Sequence, residues 1–381
     1  MFILWPLLLL ACCAPPGGLS ARSAEFTFRT DDGYVFDARV HLPPPKQRNG
    51  YGVLLMGGGI ANDLNWTVPG SLRTGDRVQQ VTISGEPHED ATRIADYLVQ
   101  RGYVVAHWST IRRDDPKRDK WPYEATTYPI PVMIEHARAA LRAFRNRRLF
   151  DENKTVLLGY SLGGHRAVVI ASTDRGIAGL VLLAPAQLTR TGLDDGGRNV
   201  HREQVEGLMS AIDLDGDGAC SRDEFATWSL TASPGEALAA LRFDDLDFDD
   251  GGSLVPWEIS AALARLSRRD MNIPEDLPTD RHGLRWAEDI LGQRAIPTLI
   301  LYGELDNAQA HHAPIIGDLI EQRSLAHIDL RIIPGVGHTL GPEFGGRVGP
   351  IDHLVLETIG TWLDEAVDLH DAFHEDPENL R

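Results

Sequence analysis

The chain is organised as short apolar runs separated by stretches in which apolar positions recur every three or four residues. Runs at 51–56, 103–108, 155–159, 177–183, 296–302 and 326–333 are rich in aliphatic residues and bounded by Gly, Pro or polar residues. Continuous runs of that length predict strands buried on both faces. Between and after them, 91–100, 131–149, 162–172, 313–322 and 353–369 carry helical spacing, and the first of these stops at Gly102. Repeated strand–helix units predict an α/β fold: a mostly parallel sheet with helices on both faces. Ahead of them, 25–29 and 34–42 flank Asp31-Asp32-Gly33, the pattern of two antiparallel strands joined by a turn.

The alternation breaks once. Residues 189–284 are polar, acidic and helix-rich, and the strand–helix units resume after them. The expected organisation is a leader over 1–24, a first core segment over 25–188, an insertion over 189–284, a second core segment over 285–370, and a loose charged tail over 371–381.

The candidate chemistry sits at strand ends. Gly159-Tyr160-Ser161-Leu162-Gly163-Gly164 is a G-x-S-x-G elbow, with the strand Thr-Val-Leu-Leu running in and a helical segment running out. A nucleophilic serine on such an elbow needs a strained turn, and the flanking glycines remove side chains that would clash there. A serine hydroxyl also needs a base to take its proton. One later strand ends in Gly303-Glu304-Leu305-Asp306 and another in Pro334-Gly335-Val336-Gly337-His338. The reading is Ser161 as nucleophile, His338 as general base and Asp306 as the acid that orients it. Glu304 is the alternative acid, and His311 and His312 compete with His338. The backbone N–H groups of Leu162 and of Gly58, in the Gly57-Gly58-Gly59 turn, are the expected oxyanion donors. His165 follows the elbow and is expected to pack more than to line a pocket.

These motifs resemble the α/β-hydrolase superfamily, and within it the dienelactone-hydrolase-like and bacterial carboxylesterase branch. The resemblance covers about 25–186 and 295–369. Where that branch has a turn reading His-Gly-Ser-Gly-Pro, this chain has Met56-Gly57-Gly58-Gly59-Ile60, followed by Asn62-Asp63. The resemblance implies an α/β-hydrolase fold and hydrolysis of a small-molecule carboxylic ester through an acyl-enzyme. A peptidase or acyltransferase with the same triad is an alternative. A calcium-binding interaction protein on an inactive scaffold is another, and the intact triad argues against it.

Charge changes the picture of the insertion. The formal net charge of −18 argues against a nucleic-acid partner. Between 213 and 258 stand twelve acidic residues against two basic ones, so this one segment holds more than half of that excess. Asp213-Leu-Asp215-Gly-Asp217-Gly218-Ala219-Cys220-Ser221-Arg-Asp-Glu224 matches the twelve-residue EF-hand loop. Carboxylates stand at positions 1, 3 and 5, Gly218 allows the turn at 6, Ala219 offers a carbonyl at 7, Ser221 can hold a water at 9, and Glu224 closes at 12. A second copy starts at Asp247 and includes Asp249, Gly251, Ser253 and Glu258. Gly251 at position 5 and Val255 at position 9 predict weaker binding. The implied cofactor is Ca2+, with one firm site and one weaker one in a pair that shares a small sheet. The insertion falls where cap segments enter α/β-hydrolases, so the pair is expected to form or brace an all-helical cap. Calcium as a permanent staple is preferred over calcium as a gate.

The N-terminus is an apolar stretch too short to span a bilayer. Leu9-Leu10-Ala11-Cys12 resembles a lipoprotein cleavage box, which would anchor the chain to a membrane through lipidated Cys12. A secretory signal cut near residues 21–24 is the alternative. Either way the protein is expected to be exported. Of three cysteines two lie in this leader, so no internal disulfide framework is expected.

Overall fold

Eight strands form one sheet: β1 (Arg22–Arg29), β2 (Val35–Leu42), β3 (Gly52–Met56), β4 (Val104–Arg112), β5 (Thr155–Tyr160), β6 (Ile177–Leu183), β7 (Thr298–Gly303) and β8 (Ile328–Ile333). The computed structural model describes residues 22–58, 62–68, 87–116, 118, 128–186, 188–189, 197–232, 238, 241–248, 251–256, 258–263, 287–291, 293–306, 309–344 and 347–375, with backbone alone at 197–203, 289, 344, 347 and 367–375. The strand order is β1-β2-β4-β3-β5-β6-β7-β8. β2 runs antiparallel to both neighbours, and from β4 onward every pairing is parallel.

The parallel strands are covered on both sides, and consecutive residues of one strand enter opposite cores. On β5, Leu157 packs in one cluster while Val156 and Leu158 pack in the other. Helices α2 (Ile130–Arg145), α3 (Leu162–Thr173) and, later in the chain, α7 (His312–Arg323) cover the first face. Helices α1 (Asp90–Gln100) and α8 (His353–Glu375) cover the second.

The insertion contributes α4 (Gly197–Ile212), α5 (Arg222–Thr231) and a helical stretch over 258–263, followed by the short α6 (Ala287–Leu291). It has its own apolar cluster, built around Val205, Ile212, Cys220, Phe225, Phe243 and Leu254. It is not all helical: a two-residue antiparallel sheet pairs Cys220 with Leu254 and Ser221 with Ser253. It also leans on the main sheet, because Ala261 belongs to the first main cluster and Phe248 and Val255 pack against it.

Two boundaries differ from expectation. β1 begins at Arg22, because β2 is long enough to pair it back to Leu42; this takes three residues from the stretch assigned to the leader. The rest of the leader, Cys12 included, lies outside the described residues. The last helix runs on to Glu375 instead of giving way to a loose tail at 371. Nothing in Asp371-Ala-Phe-His-Glu375 breaks a helix, and the first proline beyond is Pro377. No described helix is long and apolar enough to cross a membrane.

Candidate active site

β5 ends at Tyr160 and α3 begins at Leu162, so Ser161 alone makes the corner. Its backbone sits at φ 52°, ψ −122°, a conformation that costs a non-glycine residue on the order of 1–3 kcal/mol. The corner is held by hydrogen bonds: Ser161 N–H donates to Leu183 O at 2.8 Å, and Ser161 O accepts from Gly164 at 2.9 Å and Ala186 at 3.0 Å. Glycine is required on both sides. A Cβ on Gly159 would lie 2.4 Å from Gly163 O, and one on Gly163 would lie 2.1 Å from Met56 O.

The partners arrive from the ends of β7 and β8. Asp306 follows β7 and is fully buried. Its Oδ1 accepts from the Gln309 N–H at 3.0 Å, while Oδ2 faces His338 Nδ1 at 3.0 Å. His338 Nε2 lies 3.2 Å from Ser161 Oγ. The three residues converge as expected from sequence. Since a carboxylate only accepts, Nδ1 carries the proton, and Nε2 is left to accept from the serine hydroxyl. Glu304, the alternative acid, is engaged elsewhere: its Oε2 accepts from Gly335 N–H at 2.7 Å, which ties β7 to the loop that delivers His338. His312 Nδ1 bonds Thr189 Oγ1 at 2.8 Å, and burial pushes its pKa down to about 3. His165 is buried in α3, in keeping with a packing role.

Burial alone would lower the His338 pKa. The Asp306 charge, the Asp306 hydrogen bond and the Glu343 charge outweigh it and hold it above the ordinary histidine value. Glu343 carries no signal in the sequence. It is partly buried, and one carboxylate oxygen packs so close to Gly337 that a Cβ there would overlap it. Burial first, then the Asp306 charge, raise its own pKa, against the opposing effect of His338. Tyr160 supplies an aromatic wall, its ring centroid 5.4 Å from that of His338.

The expected oxyanion donors lie on α3 and at the end of β3. Leu162 opens α3, where unpaired N–H groups and the helix dipole favour negative charge. A Cβ on Gly58 would lie 3.3 Å from Ser161 Cβ, so this residue abuts Ser161. Gly59 and Ile60 lie outside the described residues. Asp63 serves its own turn, accepting from Asn65 N–H, Thr67 N–H and Thr67 Oγ1. Arg166 is equally silent in the sequence. It is 1% exposed, and its Nη2 donates to Gly57 O and Gly58 O.

A mostly parallel sheet in this strand order, with a serine corner after the fifth strand and its acid and histidine after the seventh and eighth, decides the architecture. This is the α/β-hydrolase fold. No family model matches the chain, and no curated protein matches it. Among solved structures, the chain is similar to the α/β hydrolase GrgF from Penicillium sp. sh18, at 15% identity and a TM-score of 0.47 over 92% of this chain and 100% of that one. It is similar to a hypothetical protein from Pseudomonas aeruginosa, at 15% identity and a TM-score of 0.46 over 92% and 95% of the two chains. It is also similar to an esterase from Pyrococcus furiosus, at 11% identity and a TM-score of 0.46 over 91% and 92%. At such identities the substrate of a neighbour does not carry over.

Within the α/β-hydrolase fold, the inserted acidic loops form a second group of functional candidates. Asp213, Asp215 and Glu224 each place a carboxylate oxygen within 4.8 Å of the other two. Asp217 stands outside that trio, with its Oδ1 accepting from Ala219 N–H at 2.9 Å. Glu224 closes the loop: Oε1 accepts from Leu214 and Asp215 N–H, and Oε2 from Ser221 N–H and Oγ. The Ser221 hydroxyl and these N–H groups hold its pKa down at about 2. The second loop repeats the pattern. Glu258 accepts from Phe248 and Val255 N–H, as Glu224 does from Leu214 and Ser221. Gly252 N–H donates to Asp247 Oδ2, as Gly218 N–H does to Asp213 Oδ2. Both glycines need positive φ, 96° at Gly218 and 80° at Gly252. Asp249 lies outside the described residues. Val255 packs against the first main cluster, which accounts for an apolar side chain where a ligand-orienting one was expected. Cys220 is fully buried in the module, and burial pushes its thiol up to about 12, far from a reactive thiolate.

Proposed function

We propose that this chain is a serine hydrolase that cleaves carboxylic esters through an acyl-enzyme. The observation that carries the reading is the continuous hydrogen-bond chain from Asp306 through His338 to Ser161 Oγ. Ser161 Oγ attacks the ester carbonyl as His338 Nε2 takes its proton. The oxyanion forms between the Leu162 and Gly58 N–H groups. His338 then gives its proton to the departing alkoxide. In the second half a water, deprotonated by the same nitrogen, attacks the acyl carbonyl and returns Ser161. Buried Asp306 fixes the tautomer and stabilises the imidazolium. An alkoxide leaves the tetrahedral intermediate more readily than an amine, which favours esters over amides for this apparatus.

The test is turnover of p-nitrophenyl esters, together with fluorophosphonate labelling of the wild type and of Ser161→Ala. The wild type should label and turn over, and the folded variant should do neither. Equal turnover by both would end the proposal. Amide cleavage faster than ester hydrolysis would make the protein a peptidase, and acyl transfer outrunning hydrolysis would make it an acyltransferase.

The inserted module is proposed to bind Ca2+. In the first loop the ligands would be Asp213, Asp215, Asp217, the Ala219 carbonyl, Ser221 through water, and Glu224. The second loop would bind more weakly through Asp247, Asp249, Gly251, Ser253 and Glu258. The support is the clustered carboxylates of the first loop and the matching closure of both loops by glutamate. Calcium would neutralise a crowded acidic loop and so staple the insertion. An exported protein meets enough calcium for a modest affinity to suffice.

A further inference from the structure

Arg166 sits in α3 beyond the nucleophile and is 1% exposed. Among the described residues no carboxylate pairs with it, its Nε is buried without a hydrogen-bond partner, and burial pulls its pKa down to about 10. A buried, unneutralised guanidinium is a costly choice where only volume is needed, and an apolar side chain of the same size fills such a space more favourably. What the guanidinium does make is a pair of hydrogen bonds from Nη2 to two consecutive carbonyls, Gly57 O and, at 3.0 Å, Gly58 O.

We propose that Arg166 is the positioning residue of the oxyanion loop: it clamps the Gly57–Gly58 peptide so that the Gly58 N–H is aimed at, and strengthened toward, the carbonyl oxygen of an acyl group on Ser161. This rests on the serine-hydrolase reading above.

Three physical arguments lead there. In a planar trans peptide the C=O of one residue and the N–H of the next point in opposite directions. Fixing Gly57 O on the guanidinium therefore directs the Gly58 N–H away from Arg166. Gly58 is also the loop residue that meets the nucleophile, because its missing Cβ would lie 3.3 Å from Ser161 Cβ and 3.5 Å from the Tyr160 ring. Finally, a cationic donor on the carbonyl draws electron density through the amide, which makes the N–H a stronger donor. Since no described carboxylate cancels the charge, its field also favours negative charge developing on the far side of that peptide.

The experiment compares Arg166→Met and Arg166→Lys with the wild type in ester kcat, KM and affinity for an alkyl boronic acid, which mimics the tetrahedral adduct on serine. Methionine keeps the volume and removes both hydrogen bonds. Its kcat should fall about 100-fold, with KM within about 3-fold, since one lost oxyanion donor costs about 100- to 1000-fold. Boronate affinity should weaken by a factor parallel to kcat. Lysine keeps the charge and reaches a single carbonyl, so about a 10-fold loss in kcat is expected. It also carries the test if the methionine variant fails to fold. A merely structural arginine would lower melting temperature without this parallel loss of kcat and boronate affinity. Folded variants with wild-type kcat and boronate affinity would overturn the inference and leave the serine-hydrolase reading standing. A wild type that neither turns over esters nor labels with a fluorophosphonate would overturn that reading, and this inference with it.

Discussion

Replacing Gly163 by Ala tests how closely α3 is fitted to the end of β3. Gly163 is the second residue of α3, and helical backbone accepts alanine. On propensity alone the change should stabilise the helix by up to about 1 kcal/mol. The obstacle is the far side. The new Cβ would lie 2.1 Å from Met56 O, 2.6 Å from Gly57 O and 2.9 Å from Met56 C. An unforced carbon–oxygen contact is about 3.3 Å or longer, so the helix and the strand end must separate by about 1 Å. Both obstructing oxygens belong to the backbone, and neither can rotate away. Overpacking of this kind costs about 1–3 kcal/mol, which outweighs the helical gain. The displacement would move Ser161 and Leu162 relative to Gly58, and an error of about 1 Å in such alignment costs about 100-fold in rate. The assay is thermal melting monitored by tryptophan fluorescence alongside ester kcat. Gly207→Ala in α4 serves as control, because a Cβ there meets nothing within 4 Å; it should hold or raise the melting temperature and leave kcat unchanged. A Gly163→Ala protein that melts with the wild type and keeps kcat within about 3-fold would refute the reasoning.

Other outcomes follow from the charges. The acidic limb of kcat/KM should have its midpoint above 6.5, because Asp306 and Glu343 hold His338 above that ordinary value and only the neutral imidazole accepts a proton. Removing one of those carboxylates with Glu343→Gln should shift the limb to lower pH; an unmoved or rising midpoint in a pH–rate profile would contradict the assignment. Calcium should raise the melting temperature of the wild type and do so far less for Glu224→Gln, which keeps only the weaker second loop, and turnover of the folded enzyme should not depend on it. A melting curve indifferent to calcium and chelator would remove the metal from the proposal. Burial holds both His107 and His312 neutral down to about pH 3. The unfolded chain binds those protons near 6.5, so stability from these groups is present above that pH and is lost as pH falls below it, by up to about 1.4 kcal/mol per group per unit. His312→Gln should flatten the fall in melting temperature between pH 6.5 and 4, and an identical slope would show that His312 does not contribute.

Much of the molecule is written in local pattern. Short aliphatic runs bounded by Gly, Pro or polar residues give the parallel strands, since a strand covered on both faces is mostly apolar. The elbow around Ser161 and the acidic loop from Asp213 are equally local: each is a single turn whose geometry dictates which residue types can stand there. What could not be read is what depends on contacts between distant segments. Asp306 and Glu304 both follow β7, and only packing shows that one turns to His338 while the other ties down Gly335. Val255 reads as a failed ligand until it is seen packed against the main core. Arg166 and Glu343 carry no sequence signal, because an arginine in a helix and a glutamate in a short strand are ordinarily solvated. Burial next to a carbonyl pair in the first case, and beside an imidazole in the second, changes their meaning, and burial is settled only when the whole chain has closed around them.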